Sequence, residues 1–426
     1  MNVSDTEIVR SILSKDGYQF INSPEAADVI LLNTCSIREN AETTIHKRLA
    51  NLNTIKKENE NLVVGILGCM AKQSGRKLLQ TNDMVGIVAG PDEYRKLPEL
   101  ITNCFEGIKG MAVNLSRIET YDDITPLRTE GVSAWLTIMR GCDNFCSYCV
   151  VPFARGRERS RVSSSLISEI EKLTEQGFRE ITLLGQNVNS YKCPESGDSF
   201  STLLEKSAAA GQGMRIRYVT SHPKDMSPEL IEAMARNHKI CNHIHLPVQS
   251  GSNDVLKAMR RDYTKERFLE LTKLIRSNIP DASITTDIIA GYPGETQQDH
   301  EETLELMQEV QFDGAFMFKY SPREGTKAFK VEDSVPEEEK AHRLNEIIQL
   351  QSEISKLSNL NEIGRLHEIL VEKPSKRNRD EWVGRTDTNK TTIFPNKEGS
   401  YKAGDFVNLK ITRSTSATLF GEVVQV

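Results

Sequence analysis

The 426-residue sequence contains no apolar run long enough to span a bilayer, and its opening, Met1-Asn2-Val3-Ser4-Asp5, lacks the character of a secretory leader. The expectation is a cytoplasmic chain with no membrane partner. Eight cysteines in a chain of this size are too few for a disulfide scaffold. They read as reduced, metal-binding or buried thiols. No strong charge of either sign is present: 54 basic side chains face 60 acidic ones, for a net charge of −6. A global basic field for nucleic acid is therefore excluded, and any such binding must rest on local patches. The length suits two or three domains with a large buried core.

The most informative absence is a fourth ligand. Cys142, Cys146 and Cys149 form a C-x3-C-x2-C run just beyond the apolar stretch 134–139. Four thiolates would complete a structural zinc site or an electron-transfer cluster. Three on a cubane 4Fe-4S cluster leave one iron with an open position for a substrate or cofactor. No further Cys or His follows close behind to fill it. The bland alternative is three unrelated reduced thiols on a loop. Tyr148, just before the last Cys, gives the C-x3-C-x-aromatic-C form that resembles the radical S-adenosylmethionine (SAM) enzymes. Cys104, Cys193 and Cys241 fit no ligand spacing.

Between residues 135 and 320 a short apolar run followed by an amphipathic stretch recurs. Strands are expected at 134–139, 180–184, 216–220, 243–247, 283–290 and 314–320, with helical patterns such as 166–174, 253–259, 265–277 and 296–309 between them. This alternation predicts an α/β fold with a parallel sheet. Six units are too few for the eight-stranded barrel, so an open (β/α)6 partial TIM barrel is expected. Each strand ends in small, polar, turn-forming residues: the cysteine triplet, Gly185-Gln186-Asn187-Val188-Asn189-Ser190, Thr220-Ser221-His222-Pro223, Gln249-Ser250-Gly251-Ser252, Gly291-Tyr292-Pro293-Gly294-Glu295 and Ser321-Pro322-Arg323-Glu324-Gly325-Thr326. Any one alone is a plain turn. Six on one rim, one carrying a metal triplet, favour a site.

Residues 1–105 form a smaller βα domain with strands at 28–33, 62–67 and 86–89. Cys35 and Cys69 stand just past the first two, so their thiols should converge on one sheet edge, as a buried pair or as metal ligands. Ser4-Asp5-Thr6-Glu7 reads as a capping box opening a helix with Ile8 and Ile12 on one face. A helix at the very start of a βα domain suggests that a preceding strand is missing. The core is expected over 128–360, ending in a long amphipathic helix at 335–363. Residues 363–426 turn to β pattern and predict a small five-stranded barrel. Lys373, Lys376, Arg377 and Arg379 cluster near its start with Trp382 behind them, which is either a solvated face or an RNA grip.

The strings Asn33-Thr34-Cys35-Ser36-Ile37-Arg38, Gly68-Cys69-Met70-Ala71 and Arg140-Gly141-Cys142 onward to Arg161 resemble the radical SAM methylthiotransferases over essentially the whole chain. Gly185 to Tyr191, His245 to Ser252 and Gly384 to Thr391 are most similar to the branch acting on isopentenyladenosine at tRNA position 37. The resemblance implies an N-terminal methylthiotransferase domain, a radical SAM core and a C-terminal TRAM barrel. It implies two 4Fe-4S clusters and two SAM molecules per product. Cys142, Cys146 and Cys149 would hold the radical cluster. Cys35 and Cys69 would be two of three ligands of an auxiliary cluster, the third falling before Met1. Gln186, Asn187, Ser221, Gln249, Gly291, Pro293, Gly294 and Glu295 would contact the cofactor. Arg155, Arg157, Arg159 and Arg161, with the 373–379 cluster, would grip the tRNA anticodon arm. A flavodoxin or ferredoxin would supply electrons to a monomer. The rivals are methylthiolation of threonylcarbamoyladenosine, or of a ribosomal-protein aspartate, and a non-catalytic iron–sulfur RNA-binding protein.

Overall fold

The computed structural model describes residues 1–35, 39–128, 131–396 and 400–424; Ser36, Ile37 and Arg38 of the first thiol's string lie outside them. Six parallel strands build the core. Ser133–Thr137, Glu180–Leu184 and Arg215–Tyr218 form one three-stranded sheet, and His243–His245, Ser283–Ala290 and Gly314–Lys319 form another. A parallel bridge from Ile216 to Ile240 joins the two into one curved wall. The result is a partial TIM barrel. Helices cover the outer face because alternate strand residues, among them Leu136, Leu183, Ile216, Ile244 and Ile284, are apolar and buried against Leu166, Ile170, Leu203, Leu271 and Met307. Each such burial contributes about 1.5–3 kcal/mol. Helix starts are locally written: Ser199, Ser227, Ser252, Thr264 and Thr296 each accept a backbone N–H with the side-chain oxygen, worth ~1 kcal/mol apiece.

The first core strand departs from its expected extent. It stops at Thr137, and Met139–Arg140 pair instead with Arg159–Ser160 in a short antiparallel ribbon. That ribbon frames the cysteine loop from both sides.

In the N-terminal domain the strands Val29–Thr34, Val63–Gly68, Val85–Ala89 and Gly110–Ala112 lie side by side in parallel, in chain order. The helix Asn2–Lys15 begins earlier than the sequence suggests, and the capping-box reading is wrong. Ser4 and Asp5 are buried within its first turn. Ser4 Oγ bonds Thr137 Oγ1 of the core at 2.8 Å, and Asp5 accepts from Arg140 Nη2 at 2.8 Å and Arg155 Nη2 at 2.7 Å. Arg140 also lies 4.7 Å over the Tyr121 ring. Arg159 pairs with Asp92 at 3.0 Å, and Arg161 pairs with Asp122 and, at 2.9 Å, with Glu169. This corrects the expectation that the whole arginine run grips RNA. Arg155, Arg159 and Arg161 are buried and paired with internal carboxylates; Arg157 alone of the four is exposed.

The strands Leu366–Pro374, Glu381–Arg385, Thr391–Pro395, Phe406–Ser414 and Leu419–Val423 close into the small barrel. It docks under the N-terminal ends of the core strands. Arg215 donates to the carbonyls of Arg385 and Glu368, and Arg217 to those of Asp387 and Thr386. Lys390 reaches Ser358 and Asn359 of the long helix Glu337–Leu360 and pairs with Asp313. The string 384–391 is thus a docking loop. A cavity of about 390 Å³ lies at this junction, at the end of the barrel opposite the cysteines.

Burial works to raise the Asp5 pKa, but Arg155 and Arg140 more than reverse this and hold it below its ordinary 3.8. The stabilisation is therefore complete above that value and is lost as pH falls through the lower folded pKa. Asp5→Ala strands two buried guanidinium groups, so urea unfolding should show a loss of about 3–5 kcal/mol at neutral pH. An unchanged midpoint would refute the clasp.

Candidate active site and cluster centre

The cysteine loop is built by close approach. Gly141 has φ +79°, and a Cβ there would come within 2.0 Å of the Arg157 carbonyl oxygen, so only glycine fits. Its N–H donates to Gln186 Oε1. Ser147, between the second and third cysteines, donates its N–H to Met259 O at 3.0 Å, and its Oγ meets Ala258 O and Tyr292 Oη, each at 2.8 Å. The loop is thereby pinned to the helix Asn253–Met259 and to the turn after the fifth strand. Buried Arg261 points Nη1 at Cys146 Sγ, 3.4 Å away, and donates Nη2 to Pro247 O at 2.7 Å.

Cys142, Cys146 and Cys149 are all free thiols. Burial pushes Cys142 up to about 11, and burial followed by the neighbouring Cys146 pushes Cys149 up to about 12. Bound iron reverses that preference, because a metal-ligating thiol is deprotonated outright. Among the described residues no three Cys, His, Asp or Glu side chains converge on one point as the ligands of a single ion would. Thiolates on a cubane each take a different iron and stand farther apart. Three thiols on one loop at C-x3-C-x2-C spacing are the donor set that fits a 4Fe-4S cluster.

The rim beside the loop is strained and polar. Thr220 (φ +71°) and Gln249 (φ +73°) both adopt the left-handed region, a genuine outlier for a β-branched residue. Asn187 Oδ1, Asn189 Oδ1, Ser221 Oγ and His222 Nε2 are buried without a hydrogen-bond partner, a cost of about 1–3 kcal/mol each. His222 Nδ1 accepts the Lys224 N–H, leaving Nε2 as the bearer of the proton. Burial, then Arg261, holds this imidazole neutral, with its pKa lowered to about 2. Two acceptors, a hydroxyl and an N–H donor thus await a ligand rich in polar groups. An amino acid joined to a nucleoside has that character, so the rim fits SAM.

The structure redistributes some of the expected cofactor contacts. Asn187, Ser221 and Gln249 are buried on the rim. Gln186 engages its side-chain oxygen with Gly141. Glu295 Oε1 accepts the Gly291 N–H and an Arg343 N–H, both at 2.9 Å, so this carboxylate closes the Gly291–Glu295 turn from within. Pro293 is buried in that turn, and exposed Gly294 donates its N–H to Ser334 Oγ. Ser147, Arg261, His222 and Tyr292 join the site without having stood out in the sequence. His222 and Tyr292 belong to strand-end loops that did; Arg261 follows a helix with no ligand-like spacing to signal it.

Cys35 and Cys69 follow Thr34 and Gly68, which are paired on adjacent parallel strands, so both thiols leave the sheet at the same rung. Cys69 is buried and accepts a hydrogen bond from Arg155 Nε at 3.2 Å. Arg155 ends the helix Val151–Arg155 directly after the triplet, so one guanidinium ties Cys69 to the segment that follows the cysteine loop. Lys373, Lys376, Arg377 and Arg379 are all exposed on the small barrel, while Trp382 packs against the barrel core.

Family models for the radical SAM superfamily, for an uncharacterized protein family (UPF0004) and for the TRAM domain match residues 136–307, 1–90 and 361–424. A tRNA-2-methylthio-N(6)-dimethylallyladenosine synthase of Chloroherpeton thalassium is 51% identical over 425 residues, covering 100% of this chain and 94% of its own. One from Bacteroides fragilis is 49% identical over 430 residues, covering 100% of this chain and 93% of its own. Among solved structures, the radical SAM methyltransferase TsrM from Kitasatospora setae superposes with a TM-score of 0.58 at 14% identity, over 74% of this chain and 71% of that one. The cobalamin-dependent radical SAM enzyme OxsB gives 0.52 at 13%, over 82% and 53%. At such identities these two speak for the fold alone. Half-identity across the full length says more: the chain belongs to the tRNA-2-methylthio-N(6)-dimethylallyladenosine synthase family of radical SAM enzymes.

Proposed function

We propose that the protein inserts a methylthio group at carbon 2 of N6-isopentenyladenosine at position 37 of tRNA. The observation that carries the reading is a loop of three thiols beside a rim of orphaned polar atoms, in a chain half-identical throughout to synthases of that name. Carbon 2 of adenine bears an unactivated aromatic C–H that acid–base chemistry cannot attack. A 4Fe-4S cluster on Cys142, Cys146 and Cys149 would supply the electron that cleaves SAM to a deoxyadenosyl radical able to remove that hydrogen. Asn187, Ser221, His222 and Gln249 orient the polar groups of SAM. The Gly291–Glu295 turn, held shut by Glu295, shapes the wall beside the nucleoside. Arg261 and Ser147 would fix the loop that holds the cluster beside the rim.

Cys35 and Cys69 would be two ligands of a second 4Fe-4S cluster, which would supply the sulfur, with one SAM as methyl donor and another as radical source. Arg155, on Cys69 and tied to Asp5, keeps that thiol in register with the triplet. The exposed basic hairpin at residues 373–379 contacts phosphates of the anticodon arm. A flavodoxin or ferredoxin delivers electrons, and the chain acts as a monomer in the cytoplasm.

Replacing Cys142, Cys146 and Cys149 together by Ala should abolish 5′-deoxyadenosine formation by the reconstituted, reduced protein; undiminished formation would rule the cluster assignment out. Nucleoside mass spectrometry of tRNA from a strain lacking the gene should show isopentenyladenosine without its methylthio group. A loss confined to methylthiolated threonylcarbamoyladenosine would point to the relative instead. Changing Lys373, Lys376, Arg377 and Arg379 to Gln should weaken tRNA binding and flatten its salt dependence by roughly 0.7 for each phosphate no longer neutralised. An unaltered slope would remove the barrel from the interface.

A further inference from the structure

We infer that Phe145, Phe153 and Arg157 form a stacking platform on the lip of the cysteine loop, and that it takes an unpaired nucleobase flanking the target adenosine. The inference deepens the function proposed above and rests on it. Phe145 lies between Cys142 and Cys146 with φ +48°, in the left-handed region that bulky side chains rarely adopt. Its ring stands 6.4 Å from that of Phe153, nearly perpendicular at 81°. The Arg157 guanidinium sits 5.1 Å over the Phe145 ring and is steadied by Asp143 at 2.7 Å. Phe153 remains 45% exposed and the Arg157 side chain 67%. The neighbouring arginines at 155, 159 and 161 are buried, so of the four in the run Arg157 alone faces outward, beside the exposed ring of Phe153.

The surroundings say what covers them. Asp143 is exposed, and Glu158, tied to Ser190 at 2.9 Å, is only partly buried, so the patch is ringed by polar groups. A protein partner needs about 800 Å² of complementary surface on each side, far more than two rings and a guanidinium offer. A nucleobase needs only one face covered and keeps its polar edges in water. The target base must leave its stack to bring carbon 2 to the site, which deprives its neighbour of a stacking partner. Phe153 replaces that partner, and Arg157 adds a stacked cation able to reach the adjoining phosphate.

The test uses the full chain with its cluster loaded and an anticodon-arm hairpin carrying 2-aminopurine beside the target adenosine. Binding to the wild-type protein should quench the probe. Phe153→Trp should retain the quench. Phe153→Leu, apolar but not aromatic, should abolish it and weaken hairpin binding about fivefold or more, with the salt slope unchanged; Arg157→Gln should flatten that slope. Retention of both quench and affinity in Phe153→Leu would overturn the platform. So would a Phe153→Leu protein that binds RNA normally but accepts electrons slowly from a reduced flavoprotein, since the face would then belong to a redox partner. Wild-type binding without any quench defeats this inference alone, whereas no hairpin binding at all defeats the proposed function with it.

Discussion

A single carboxylate with no access to water, Asp5, sets the relation between the two halves that carry thiols. It draws Arg140 from one side of the cysteine loop and Arg155 from the other. One carboxylate between two guanidiniums leaves a surplus of buried positive charge, and several of their N–H groups have no partner. Such an arrangement is a weak source of stability, since desolvating ions costs several kcal/mol each. It is well suited to holding two domains in one orientation, because a hydrogen-bonded ion pair tolerates far less displacement than an apolar contact. Cys69 meets Arg155 only because that orientation is kept.

Local rules are broken at several points where chemistry is expected. Helix caps, strand alternation and the apolar seam agree with one another throughout the outer shell of the barrel. On the catalytic rim a threonine and a glutamine take left-handed backbone angles, and four polar atoms are buried unpartnered. Sequences that specify a fold consistently and fail locally tend to fail at functional sites. Several of the failures gather in loops at one end of the strands; others lie elsewhere, among them Asn389 with φ +67° and the unpartnered Arg217 Nε at the joint with the small barrel.

The parts legible in the sequence are those governed by short-range pattern. Short apolar runs alternating with amphipathic stretches mark the six core strands, three- and four-residue spacing marks the long helix, and C-x3-C-x2-C marks the thiol loop. The parts that are not legible depend on what a residue meets across the fold. Four arginines at alternate positions look alike in one dimension; three find buried acids on distant segments and one does not. Ser4 and Asp5 match a capping signature, but the core strand and the cysteine loop compete for both side chains and win. Arg261 beside Cys146, and Glu295 folded back onto Gly291, are equally out of reach of spacing arguments.

Arg215 and Arg217 fasten the small barrel to the core together with Lys390, and the two arginines hold chiefly backbone carbonyls, those of Glu368, Arg385, Thr386 and Asp387. A carbonyl is the same group whatever side chain stands beside it. Substitutions in that loop, Lys390 apart, therefore leave those carbonyl contacts intact, while a change at either arginine removes them. Tolerance of mutation is divided unequally across the joint: one side can diversify to suit different RNAs, and the other must stay as it is.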